Sequence, residues 1–257
     1  MWRRHAYREA VTRLRSGPLA AWANAWLAGQ VAFDDVLRAV TGDDAPHRVV
    51  GLEAEAEGVP LSAALIHWRR VGGPVRLVLP VAGDLRGVPG PAAFRVEAVA
   101  VGEAVIGGGI GLVPEVIDHS PSSARPSVTW QATPTEPAPA DVESVADAQY
   151  ELASVVRESA AALAAADVAG SPADLGPGLH EARRAGENLN LPPGFAPRAV
   201  ALLAQAERLH AMLALAGADP AGGAIDRMGA AAREAALRPL AIAVRRARLA
   251  GYNAGAN

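Results

Sequence analysis

Ala104-Val105-Ile106-Gly107-Gly108-Gly109-Ile110-Gly111-Leu112-Val113 sets two apolar arms around three glycines, the pattern of a β-hairpin. Glycine supplies the positive φ that a tight reversal needs, and the arms show no helical period. The run is not a dinucleotide fingerprint, because the place for a third glycine after Gly109 is Leu112 and no helix start follows. Working outward, Val75, Leu77 and Leu79 alternate with Arg76 and Val78, which predicts a strand before the hairpin. Phe94, Val96 and Ala98 against Ala93, Arg95 and Glu97 predict a second, half-buried strand running to about Val101. Val128, Trp130 and Ala132 predict the last strand. Four or five strands in sequence with short connections favour an antiparallel sheet, since parallel neighbours need crossovers of roughly a dozen residues.

Helices bracket this sheet. Tyr7, Val11 and Leu14 recur at helical spacing until Ser16-Gly17-Pro18 stops one helix and starts the next. Leu19, Trp22, Trp26 and Leu27 form an apolar face. Phe33, Val36, Leu37 and Val40 form another, led by Asp34 and Asp35, where carboxylates suit the helix dipole. Pro60–Arg70 reads as a short helix closed by Gly72 and Gly73. After a Pro-rich linker, Asp141 is expected to cap a helix reaching about Val168. There Val145, Ala148, Leu152, Val155, Ser159 and Ala162 make a seam at alternating spacings of three and four. Further helices are expected over Leu179–Ala185, over Ala196–Ala216 with Leu202, Leu209 and Leu213 on one side, and over Ala221–Ala250. Pro239 is expected to kink or break the last of these. The expected fold is α+β: a four- or five-stranded, mainly antiparallel sheet with N-terminal helices (1–133), a linker (134–140) and an Ala-rich helical bundle (141–257).

Composition removes whole classes of chemistry. All 24 Lys+Arg residues are arginines and cysteine is absent, so no side-chain amine can form a Schiff base and no thiolate can attack or bind metal. The formal net charge of −3 argues against a chain-wide grip on nucleic acid. No unbroken apolar run reaches the roughly 18 residues of a membrane span, and a cytoplasmic protein with no membrane partner is expected.

Several local patterns touch on chemistry. Glu207-Arg208-Leu209-His210 sets a carboxylate and an imidazole one turn apart, as di-iron bundles do, yet no second such pair exists. Glu143, Asp147, Glu151 and Glu158 read as a solvated stripe. Asp118-His119-Ser120 are chain neighbours, which does not make them a triad. The best cluster lies around the sheet: His67, Trp68, Arg69 and Arg70 before the first strand, Asp84 and Arg86 after it, His119 beyond the hairpin, and Trp130 in the last strand. Arginine and tryptophan together grip anionic or planar ligands by forked hydrogen bonds and stacking. The plainer alternative has Arg69 and Arg70 serving a helix C-terminus and Asp84 pairing with Arg86 in a turn.

With no catalytic motif evident, the expected role is a non-catalytic interaction or scaffold protein. It would engage a protein partner or self-associate through the bundle, without cofactor or metal. The alternatives are a small-molecule-binding protein or enzyme built on that cluster, and weak nucleic-acid binding through Arg245-Arg246-Ala247-Arg248 and the Arg-rich first helix.

Overall fold

The computed structural model describes residues 14–52, 57–117, 125–139, 143–165, 176–218 and 227–256. The helix expected around Tyr7 and Val11, the cap at Asp141, and Asp118, His119 and Ser120 lie outside the described residues. Residues 14–142, 190–195 and 252–257 group into one compact unit, and 143–189 with 196–251 into another.

The sheet-bearing unit runs α1 (Ser16–Leu27), α2 (Phe33–Thr41), β1 (Arg48–Val50), β2 (Val59–Pro60), α3 (Leu61–Val71), β3 (Arg76–Val78), α4 (Ala92–Val101), β4 (Ala104–Gly107), β5 (Ile110–Ile117) and β6 (Ser127–Pro134). Pro18 sits in the first turn of α1, where a missing N–H is harmless. Asp34 and Asp35 open α2, and Gly42 and Gly72 end α2 and α3 at positive φ.

The strands form one six-stranded sheet in the order β2-β1-β6-β5-β4-β3. Every pairing is antiparallel except β1 with β6, where Arg48–Val50 run parallel to Thr129–Gln131. The class is α+β, and the sheet is wider and more mixed than the alternation predicts. Strands β1 and β2 have three and two residues, too short to carry a period.

The strand expected over Ala93–Val101 is instead the helix α4. Pro91 holds extended backbone at its start, and Gly102 closes it in the left-handed region with φ 84°. Phe94 and Ala98, one turn apart, are its buried side, while Val96 faces solvent. A helix burying every fourth residue satisfies the same short run that an alternating strand would.

Each face of the sheet is apolar. Phe94 and Ala98 of α4 pack with Val78, Ala104, Ile106 and Val113 on one side. On the other, Leu77, Val105 and Leu112 align across β3, β4 and β5 and are fully buried. Gly111 is required here: an added Cβ would overlap the Phe94 ring.

The β3 edge is closed by side-chain amides. Asn24 donates to the Val75 carbonyl (2.7 Å) and accepts the Val75 N–H (2.9 Å). Asn253 does the same at Leu77, at 3.0 and 2.8 Å. Two asparagines thus stand in for a seventh strand.

The helical unit contains α5 (Val145–Ala165), α6 (Gly176–Arg184), α7 (Pro197–Ala218) and α8 (Arg227–Asn253), whose last two residues fall in the sheet-bearing unit. Ser144 caps α5, its Oγ accepting the Asp147 N–H at 3.1 Å. Ala148 and Leu152 of the expected seam pack with Leu202, Ala206, Val244 and Ala247. Helix α8 continues through Pro239 without breaking. Pro197–Gly217 is long and apolar enough to cross a membrane by length and composition, with one third of that window buried inside the protein.

Candidate functional site

Helix α3 delivers the stretch His67-Trp68-Arg69-Arg70, and its four side chains take different directions. Leu61, Ala64, Leu65 and Trp68 form the buried stripe. Trp68 lies against the glycine turn of the hairpin. A Cβ on Gly108 would come within 3.0 Å of its ring, and one on Gly107 within 3.2 Å of its Nε1. The Trp68 N–H is buried without a hydrogen-bond partner. His67 Nε2 donates to the Gly108 carbonyl at 2.9 Å, which leaves Nδ1 facing Arg70 Nη2 at 3.4 Å. His67 and Trp68 therefore lock a helix onto the hairpin, and Gly107 and Gly108 make room for them.

Arg69 and Arg70 point outward. The Arg69 guanidinium lies 4.9 Å from the centre of the Trp26 ring. Trp26 itself packs on Phe33, ring centres 5.3 Å apart and tilted by 56°. Together with Ile66 these residues line an open groove of about 440 Å³ whose floor is apolar and whose rim is Arg69 and Arg70. Ile66 is 59% exposed, high for its type, and sits about 100° off the buried stripe of its helix.

Asp84, Arg86 and Trp130 lie outside this groove. Asp84 and Arg86 clamp each other in an exposed turn, with both guanidinium contacts at 3.0 Å. Trp130 is buried in β6 and donates to His47 Nδ1 at 3.3 Å. That bond fixes His47 as neutral, with its Nε2 hydrogen directed at Asp44 (3.4 Å). Asp44 in turn takes a forked pair of bonds from Arg15, at 2.9 and 3.1 Å. Burial alone would raise the Asp44 pKa. The hydrogen bond and charge of Arg15, joined by the hydrogen bond from His47, outweigh burial and hold it below the ordinary value. The network extends to Glu103, whose carboxylate accepts the backbone N–H groups of Arg15 (3.0 Å) and Ser16 (2.7 Å) and so caps α1. This network is buried and joins α1, the α2–β1 loop, β6 and the α4–β4 turn. The His47 ring is buried within it.

In the helical unit, Glu207 pairs with Arg248 at 2.9 Å rather than with His210. Burial, aided by the Arg248 charge, pushes the His210 pKa down to about 4. Glu151 pairs with Arg246 at 2.6 Å. Burial and the neighbouring Glu151 raise the Glu143 pKa. Among the described residues no group of three or more His, Asp or Glu side chains is arranged to hold a metal.

Trp26, Phe33 and Ile66 complete the groove. The apolar faces of the sequence contain the two aromatics, but only their distance from the core stripe marks the isoleucine. Arg76 is a second residue that alternation hides. It is 7% exposed on β3, and its Nη1 has no hydrogen-bond partner.

The profile of the Rv1486c-like protein N-terminal domain matches residues 16–144, and that of the Rv1486c-like protein C-terminal domain matches residues 146–249. "Uncharacterized protein Rv1486c" of Mycobacterium tuberculosis is 32% identical over 273 aligned residues, covering 92% of this chain and 95% of that protein. "Uncharacterized protein ML1804" of Mycobacterium leprae is 30% identical over 285 aligned residues, with the same two coverages. No solved structure matches.

Proposed function

This chain belongs to the Rv1486c-like family, and from that premise we propose that it is a non-catalytic cytoplasmic interaction protein that docks a protein partner in the groove between α1, α2 and α3. The observation that carries the reading is Ile66, held out to solvent beside Trp26 and Phe33 on a rim of two arginines. An apolar centre with a charged border is the anatomy of a docking surface. The histidines nearest the sheet support a role without bond-making. His67 is spent on the hairpin, and His47 is buried between Trp130 and Asp44.

A second reading, binding of a small anionic or planar ligand, draws on the stack of Arg69 over Trp26 and on a groove volume within the usual range of ligand sites. Nucleic-acid binding draws less support. Arg246 and Arg248 already hold Glu151 and Glu207, with which phosphates would compete.

A photo-crosslinking residue placed at Ile66, compared with one at the still more exposed Val96 of α4, tests the docking reading in cells. A discrete protein adduct at position 66 and not at 96 is expected. Adducts identical at both positions, or a small-molecule adduct alone, would remove it.

A further inference from the structure

We propose that the occupant of the groove is an acidic amphipathic helix of a partner protein, an inference that rests on the docking reading above. Three observations lead there. The first is charge. Several arginines among the described residues find carboxylates, as Arg15 finds Asp44, Arg86 finds Asp84 and Arg246 finds Glu151, while others, such as Arg48 and Arg95, bond backbone carbonyls. At the groove Arg69 touches the Trp26 ring and Arg70 touches His67, and neither has a carboxylate partner among the described residues. Two unneutralised guanidinium groups on an apolar border call for acceptors from outside, and forked contacts to Asp or Glu are the geometry they favour.

The second observation is shape. Ala63, Ile66 and Arg70 recur at one-turn spacing along the open side of α3, so they form a ridge with grooves that a second helix can interdigitate. Ile66, Trp26 and Phe33 would receive apolar residues spaced by three and four on the incoming helix. The third is the closure of the competing mode. A partner strand needs a free sheet edge, and this sheet presents none of use. Asn24 and Asn253 occupy β3, and β2 is two residues long and ends in Pro60, which has no N–H to give. A helix laid along α3 remains.

The experiment uses the full chain and three labelled 16-residue peptides, read by fluorescence anisotropy. One is a helical Leu/Glu peptide with leucines on one face, one is its Leu/Lys counterpart, and one has the Leu/Glu composition scrambled to destroy the face. The amphipathic acidic peptide is expected to bind, more weakly as salt rises, and the other two are not. Replacing both Arg69 and Arg70 with Ala should weaken binding about tenfold, the scale of two rim charges. Ile66→Glu should abolish it while leaving the melting temperature unchanged, since the side chain is exposed. Equal binding of the basic peptide, or none of the acidic one, overturns the proposal. Should the acidic peptide fail while the adduct at Ile66 persists in cells, the groove remains a docking site and only the helix assignment falls. A dimer in light scattering that Ile66→Glu dissolves would reassign the groove to a second copy of the chain and would equally end the proposal.

Discussion

Asp44 shows what a buried carboxylate contributes when its neighbours are chosen for it. Its depressed native pKa means that the stabilisation is present above the ordinary value of 3.8 and is lost as pH falls through the lower native one. Asp44→Asn should cost about 3 kcal/mol at pH 7, because the buried Arg15 then loses the carboxylate it forks onto. Urea midpoints of the two proteins, measured at pH 7 and again below 3.8, should converge in acid. A gap that stays constant would detach Asp44 from the ion pair. Arg76 poses the opposite case. Burial lowers its pKa, no carboxylate answers it among the described residues, and Val78 and Ile106 are its neighbours on the same face of the sheet. Arg76→Met keeps the length and removes the stranded charge, so stability should rise by about 1 kcal/mol, seen as a higher melting temperature. A fall would show the guanidinium to be satisfied in solution. Neither residue was legible as such: period-two alternation assigns position 76 to a face but not to solvent, and Asp44 lay in what reads as a loop. Arg69 and Arg70 stood among the candidates read from the sequence. Trp26 and Phe33, which line the groove beside them, come from other helices, and no spacing within one element could have joined them.

At the scale of elements, local signals succeeded where punctuation was strong. Gly107-Gly108-Gly109 marked the hairpin, Gly42 and Gly72 ended their helices, and the seam of α5 buried Ala148 and Leu152 as its spacing requires. The signals failed at α4, where ten residues between Pro91 and Gly102 fit either period, and the decision belonged to tertiary packing. Phe94 makes that decision visible, because its ring lies on the sheet in the space that Gly111 leaves open. Gly111→Ala should therefore cost about 2 kcal/mol by overpacking. If the ring is the obstacle, Phe94→Leu should cost less in the Gly111→Ala background than alone, a coupling that a double-mutant cycle in urea measures. Strict additivity of the two losses would locate the strain elsewhere.

For the whole molecule the decisive question is how a six-stranded sheet avoids growing. At one end β2 is too short and ends in proline. At the other, β3 is buried on both faces and would invite another chain were its polar backbone free. The amides of Asn24 and Asn253 prevent this by pairing with Val75 and Leu77, two residues apart on the outward edge. Asn253 lies 176 positions from Leu77 in sequence, so the end of the chain closes an edge laid down in its first third. Such a contact has no signature in periodicity, which is why the strand order was less legible than the strands. Asn253→Asp preserves the acceptor for the Leu77 N–H but sets a carboxylate against the Leu77 carbonyl that the amide served. It should lose about 2 kcal/mol and leave β3 half open. Light scattering against concentration should then reveal association that the parent chain does not show, and adding Asn24→Asp should deepen it. If both variants match the parent in oligomeric state and melting temperature, the amides are incidental and something else must guard that edge.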